Sequence, residues 1–383
     1  MRREVILQTP HIVTRDSPYL NGSNEIANYR FKLNPDAIGP RGIPTGNLGK
    51  PNGVPNALSA FGLLTLAPGL SNIRIVDCEF EGPWRHLTDI PDSGPGHAMN
   101  IKGIQMQYNT GIHIEGCDFR YIPKESIYFH GCQRIDLEWL WSRSCSHLVR
   151  AHWPGPRNRF IRMNHLHASD GWQTSSNWRE DLFASQYEPL RNIGGNVVVG
   201  YLADSEIRNL TTSGEVKSAL KLVCPIRVRV SDMHSSQLNM QGTMYFNHTK
   251  DPTNGNGRIG AYNHVDFDES LGWHADDNEF ADCVFRPLQN AWMDAPKRPT
   301  FQLSYHHTNL RFRNCVVYAP APGHYPVAVN DGVDADIRDS LFIVPHPGEM
   351  ASIQSVGRYK APGSRESSLN ADFAEANRFR RPA

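Results

Sequence analysis

Lys221, Arg150, His130, His152, Tyr128 and Tyr245 fall at matching places in short segments that alternate apolar and polar residues. The segments read IQMQY from Ile104, IYFHG from Ile127, VRAHW from Val149, VVVGY from Val197, LKLVC from Leu220, MYFNH from Met244, FQLSY from Phe301 and VAVND from Val327. The first and third residues of each are apolar and are expected to face a core, so the second and fourth face outward. The outward set is then Gln105 and Gln107, Tyr128 and His130, Arg150 and His152, Lys221, Tyr245 and Asn247, Gln302 and Ser304. Arg, Lys, His and Tyr gather there with scarcely a carboxylate.

That choice of side chains selects among reactions. Hydrolysis of a glycoside uses two carboxylic acids about 5 to 10 Å apart, and the set contains none. The acids available to a hydrolase lie in turns and loops: Asp170, Glu180, Asp181, Asp204, Asp276, Asp277 and Asp331. β-Elimination of a uronate needs a cation beside the sugar carboxylate, a base for the adjacent proton and an acid for the leaving oxygen. Lys, Arg, His and Tyr supply all three. A strip of this kind, with coils roughly 4.8 Å apart, suits an extended anionic chain, and aromatic rings suit sugar faces.

The elements that must hold this strip follow from a second recurring pattern. It reads NIRIVDCEF from Asn72, GIHIEGCDF from Gly111, NEFADCVF from Asn278 and NLRFRNCVV from Asn309, with weaker copies from Arg159, Ser205, Arg227 and Ala335. Period-two alternation marks half-buried strands, and a residue tolerant of left-handed backbone angles marks the turn between them. Asp77, Gly116, Asn164, Asn209, Asp232, Asp282, Asn314 and Asp339 are expected to stack as that turn. Cys78, Cys117, Cys283 and Cys315 follow by one place and should stack inside as small hydrophobes. His165 aligns with them and is expected in the core. The spacing matches one coil of a β solenoid, which makes the chain an all-β, right-handed parallel β-helix.

Residues 1–70 contain the Pro/Gly/Asn-rich run NPDAIGPRGIPTGNLGKPNGVPN and read as an N-terminal cap and loop. The coils are expected over 71–345, and 346–383 as a polar tail with a short helix near Leu369 to Phe379. Two insertions carry aromatic and basic residues: Gly82 to Asn100, and Ser169 to Gly195 with Trp172, Trp178, Arg179 and Tyr187. Long loops of this composition suit the walls of a cleft.

The 383 residues carry no net formal charge, which argues against a general nucleic-acid binder. No run reaches the roughly 18 apolar residues of a membrane span. Seven cysteines, an odd number in so large a chain, do not suggest a disulfide framework. The start MRREVILQTPHIV has no sustained apolar stretch of a secretory leader.

On its repeat pattern from about Leu70 to Pro345, the chain resembles the right-handed parallel β-helix superfamily of pectate-lyase-like proteins. That superfamily includes chondroitinase B-like and alginate lyases, polygalacturonases and phage tailspikes. The resemblance implies a carbohydrate-active protein: a polysaccharide lyase cleaving an acidic, uronate-containing glycan, with a glycoside hydrolase or a non-catalytic glycan-binding β-helix such as a tailspike as alternatives. It makes Lys221 the base and Arg150 the neutralising cation, with His130, His152, Tyr128 and Tyr245 as proton donors or sugar contacts. Gln105, Gln107, Asn247, His248, Trp172, Trp178 and Arg179 would bind the substrate. SGEVKSALKL from Ser213 is loosely like the Lys-bearing coil of the chondroitinase B-like branch, although the Arg expected one coil later is absent. No calcium-binding acidic cluster, paired-Asp motif or Asp-Pro-His motif is present, and no metal ligand is assigned. A calcium ion would be compatible with the fold. A polysaccharide lyase would act as a monomer, secreted or periplasmic with its leader removed.

Overall fold

A computed structural model describes residues 2–8, 11–34, 61–83, 101–122, 125–145, 147–151, 156–169, 196–213, 218–235, 238–241, 275–286, 301–304, 307–318, 327–329, 333–344, 368–369 and 371–381. Every strand pairing among them is parallel, from Arg3–Leu7 on Tyr29–Leu33 to Leu341–Ile343 on Arg378–Arg380. Each strand pairs with strands one coil before and one coil after it, so the chain winds as a right-handed parallel β-helix. One wall is a 10-stranded sheet, and the strands of the other walls form a continuous 20-stranded sheet.

The turn ladder is backbone chemistry. Asn28, Asp77, Gly116, Asn209, Asp232, Asp282, Asn314 and Asp339 all have φ between about 50° and 65°, the left-handed region that Asn, Asp and Gly tolerate best. In the fourth and fifth rungs the position belongs to Trp139 and His165, both with φ 53°. The expected turn at Asn164 is therefore displaced by one residue. Register decides this: Leu166 must stand level with Leu140 and Leu210 in the core, which puts His165 in the bend. His165 is not a core residue, and its ring stacks on Trp139 instead.

Inside the bend the ladder runs Cys78, Cys117, Leu140, Leu166, Leu210, Met233, Cys283 and Cys315, all essentially buried. The thiols behave as filler that also donates weak hydrogen bonds, as from Cys78 Sγ to Val76 O at 3.3 Å. All seven cysteines are free. Two residues further, phenylalanines stack coil on coil, Phe31, Phe80 and Phe119 with centroids 5.4 and 5.0 Å apart, and two residues before the bend Phe280 stacks on Phe312 at 4.9 Å. Buried asparagines close the corners. Asn278 accepts a hydrogen bond from Val228 N and donates to Pro225 O, and Asn158 does the same for Cys132 N and Tyr201 O.

Stacking starts before the expected cap ends. Arg3–Leu7, His11–Val13, Glu25–Ala27 and Tyr29–Leu33 are already solenoid strands, because their alternation can be paired even with a Pro/Gly-rich run behind them. At the other end Ser368–Leu369 and Arg378–Arg380 add rungs around a short helix, Phe373–Ala376. Phe373 packs against Phe342 and Phe379, covering the last coil.

Candidate functional site

The 10-stranded sheet places the predicted residues in register. Gln105, Tyr128, Arg150, Val199, Lys221, Asn239 and Gln302 occupy one row across successive strands, and Gln107 stands beside His130 in the next outward row. Their neighbours Ile104, Ile127, Phe129, Val149 and Leu220 belong to the hydrophobic core. The alternation expected from sequence thus holds for these strands, with two differences. In Asn196–Gly200 the parity is shifted by one, since Val198 pairs with Val149 and Val199 stands beside Arg150. The rung after Lys221 is Leu238–Gln241, not Met244–His248. Tyr245, Asn247 and His248 lie outside the described residues, as do His152, Trp172, Trp178 and Arg179.

Two charged groups in this wall escape a reading by alternation. Glu125 and Lys102 precede a break in the pattern: Gly103 and Ile104 both turn inward, and a Cβ on Gly103 would come within 2.9 Å of the Phe119 ring. Glu125, only 1% exposed, accepts a hydrogen bond from Arg150 Nη1 at 2.9 Å and has Lys102 Nζ at 4.0 Å. Lys102 also lies over the Tyr128 ring, 3.7 Å from its centroid. The expectation of a strip without carboxylates is corrected by Glu125. The expectation of a solvated strip is corrected as well, because Lys102, Gln105, Gln107, Glu125, Tyr128 and His130 are buried. Exposure returns at Arg150, whose side chain is 23% accessible, and at the half-buried Lys221.

Burial and charge tune these groups. The Lys221 amine titrates below its ordinary value, first because burial disfavours the ammonium and second because Arg150 repels it. Burial lowers His130, which favours its neutral ring. Burial also raises Tyr128 well above an ordinary phenol, so its hydroxyl keeps its proton. The row therefore sets a weakened ammonium, a phenol held protonated and a guanidinium along one line, with Glu125 bonded to Arg150 and 4.0 Å from Lys102.

The 20-stranded sheet differs in kind. Its outer surface mixes signs and pairs them, as in Arg162 with Asp136 at 2.6 Å and Arg313 with Asp336 at 2.7 Å. The described loop-acid candidates for a hydrolase are found there. Asp204 binds Arg227, Asp276 accepts from Thr308, and Asp277 is shared by Arg229 and Arg311. Asp170, Glu180, Asp181 and Asp331 lie outside the described residues. Among the described residues no cluster of His, Cys, Asp and Glu is arranged to hold a metal ion, and no helix is long and apolar enough to cross a membrane.

The molecule is thus a parallel β-helix protein with one basic, half-buried row on its 10-stranded wall. No protein-family model and no curated protein matches its sequence. Among solved structures it is similar to a DFA-IIIase from Arthrobacter chlorophenolicus A6 in complex with DFA-III, at TM-score 0.48 and 9% identity over 91% of this chain and 71% of that one. It is also similar to the catalytic domain of a GH87 α-1,3-glucanase in complex with nigerose, at TM-score 0.39 and 8% identity over 94% and 62%. A third is the tailspike of E. coli bacteriophage HK620 in complex with a hexasaccharide, at TM-score 0.43 and 9% identity over 96% and 57%. The chain spans less than two thirds of the glucanase and tailspike chains.

Proposed function

We propose that this protein acts on an acidic, uronate-containing glycan and cleaves it by β-elimination at the row that runs from Tyr128 through Arg150 to Lys221. The observation that carries this reading is the half-buried Lys221 amine, whose proton is destabilised by burial and by Arg150 in the row that also holds Tyr128. A lysine so placed gives up its proton more readily than an exposed one, which favours its use as a general base.

In the proposed step the sugar carboxylate sits against Arg150, which withdraws charge and acidifies the adjacent C–H. Lys221 takes that proton. The electron pair of the broken C–H bond forms a C=C bond, and the glycosidic C–O bond at the neighbouring carbon breaks. The leaving oxygen receives a proton, for which Tyr128 and Tyr245 are the proposed donors. Glu125 keeps Arg150 and Lys102 in place without cancelling both of their charges. Gln105, Gln107 and His130 line the same wall and offer hydrogen bonds to hydroxyl groups. Tyr245, His152, Asn247, His248, Trp172, Trp178 and Arg179 remain part of the proposal as further contacts from the neighbouring segments.

Incubation with alginate, polygalacturonate, glucuronan, chondroitin and heparin-type polymers tests the reaction class. A lyase generates one unsaturated uronate absorbance for each new reducing end. Reducing ends without absorbance would assign the chemistry to a hydrolase, with Glu125 the carboxylate in the row. No cleavage of any polymer would leave a glycan-binding β-helix.

A further inference from the structure

The bends of two adjacent coils depart from the pattern of the rest. At the first bend the other rungs place Asn24, Asn72, Gly111, Asp204, Asp277 and Asn309 in the left-handed region, with Arg227 the one other long side chain. Arg134 and Phe160 hold that place here with φ 54° and 57°. At the second bend Trp139 and His165 replace Asp, Asn and Gly. A bulky residue at positive φ costs about 1–2 kcal/mol, and such strain collects where a side chain is needed. Four large side chains thus occupy both bends of two consecutive coils.

The rings are presented, not buried. Phe160, Trp139 and Trp141 are 49%, 45% and 42% exposed. Trp139 is held by His165, coplanar within 7° at a centroid distance of 3.8 Å, and Trp141 lies 6.5 Å away, tilted by 28°. Between the Phe160 bend and the Trp139 bend lie four residues of strand, a span of about 16 Å from bend to bend. That stretch carries polar pairs: Arg162 chelates Asp136 with bonds of 2.6 and 2.8 Å, and Asn164 donates to Glu138 at 3.3 Å. Arg134 and Arg162 balance Asp136 and Glu138, so the surface is neutral as well as aromatic.

We propose that this face of the 20-stranded sheet is a second carbohydrate-binding surface, for a neutral oligosaccharide laid along the strand from Phe160 to Trp139 and Trp141. Aromatic rings at both ends take the apolar faces of pyranose rings, and the amide, carboxylates and guanidinium between them match hydroxyl groups in both donor and acceptor sense. The balanced charge disfavours a polyanion, which separates this surface from the basic row on the other wall. A second copy of the chain is a poorer occupant. The three exposed rings offer on the order of 300 Å², against about 800 Å² per partner in a stable interface, and closure would desolvate the ion pairs.

The test uses the full chain and cellohexaose, maltohexaose, xylohexaose and mannohexaose, followed by tryptophan fluorescence and calorimetry. Trp139→Asn puts at the bend a residue that other rungs carry there, so the fold is retained. Binding of at least one hexasaccharide by the natural protein is expected, weakened about tenfold by Trp139→Asn, consistent with a stacking contribution near 1.4 kcal/mol, and unchanged by Lys221→Met. The inference is overturned if no hexasaccharide binds at millimolar concentration, or if Trp139→Asn binds as tightly as the natural chain. Reversible association in sedimentation that Trp139→Asn abolishes would likewise overturn it, assigning the patch to self-assembly. None of these readouts depends on catalysis at Lys221.

Discussion

Glu125 sits between two cations with almost no access to water, so its charge is worth more to the fold than that of an exposed acid. Glu125→Gln leaves Lys102 and Arg150 facing each other without a counter-charge. Removing one partner of a buried pair costs about 3–5 kcal/mol, and with Arg150 23% exposed the expected loss is nearer 2 kcal/mol, read as a lower urea midpoint at unchanged slope. Lys221 gives the opposite result. Its folded value lies below the unfolded 10.5, so its contribution to stability is complete above pH 10.5 and is lost as the pH falls through the folded value. Lys221→Met is therefore expected to be more stable than the natural chain at neutral pH. That advantage should shrink as the pH is raised toward 10.5; a constant difference across the range would mean the amine is not strained. Arg150, Lys221, Tyr128 and His130 were legible from period-two alternation alone. Lys102 and Glu125 were not, because Gly103 and its neighbours break the alternation just after them.

At the level of the strand and the bend, one buried amide often satisfies two backbone groups. Asn278 serves Val228 N and Pro225 O, both inside the corner of a coil. Asn278→Ala would leave a donor and an acceptor unsatisfied at about 1–3 kcal/mol each. A loss of about 3 kcal/mol is expected by chemical denaturation, and a loss below about 0.5 kcal/mol would show that water replaces the amide. The bends themselves could be read from Asp, Asn and Gly at a fixed place before the inward ladder. Asn164 misled because its type suits the bend, whereas the core decides: Leu166 has to meet Leu140 and Leu210, and His165 pays the backbone strain.

Across the whole molecule, each coil is held by the coils before and after it, and stability approximates a sum of neighbouring interfaces. Hydrogen exchange should then be slowest in the central strands Gln133–Arg143, Asn158–Ser169 and Leu202–Ser213, where the longest ladders run. It should quicken toward Arg3–Leu7 and Arg378–Arg380; uniform protection along the axis would contradict this picture. The solenoid was legible from the repeat. Its true extent was not, because the first strands lie before a Pro/Gly-rich run and the last ones flank a short helix, where no repeat spacing survives.

The most direct measurement of the central claim is the absorbance of unsaturated uronate released from a panel of acidic glycans by the natural chain, by Lys221→Ala and by Arg150→Ala. The expected result is a rise with the natural chain on at least one polymer, reduced at least 100-fold by Lys221→Ala, within the range general-base catalysis contributes, and strongly reduced by Arg150→Ala. A Lys221→Ala protein that releases the same product at the natural rate would contradict the account.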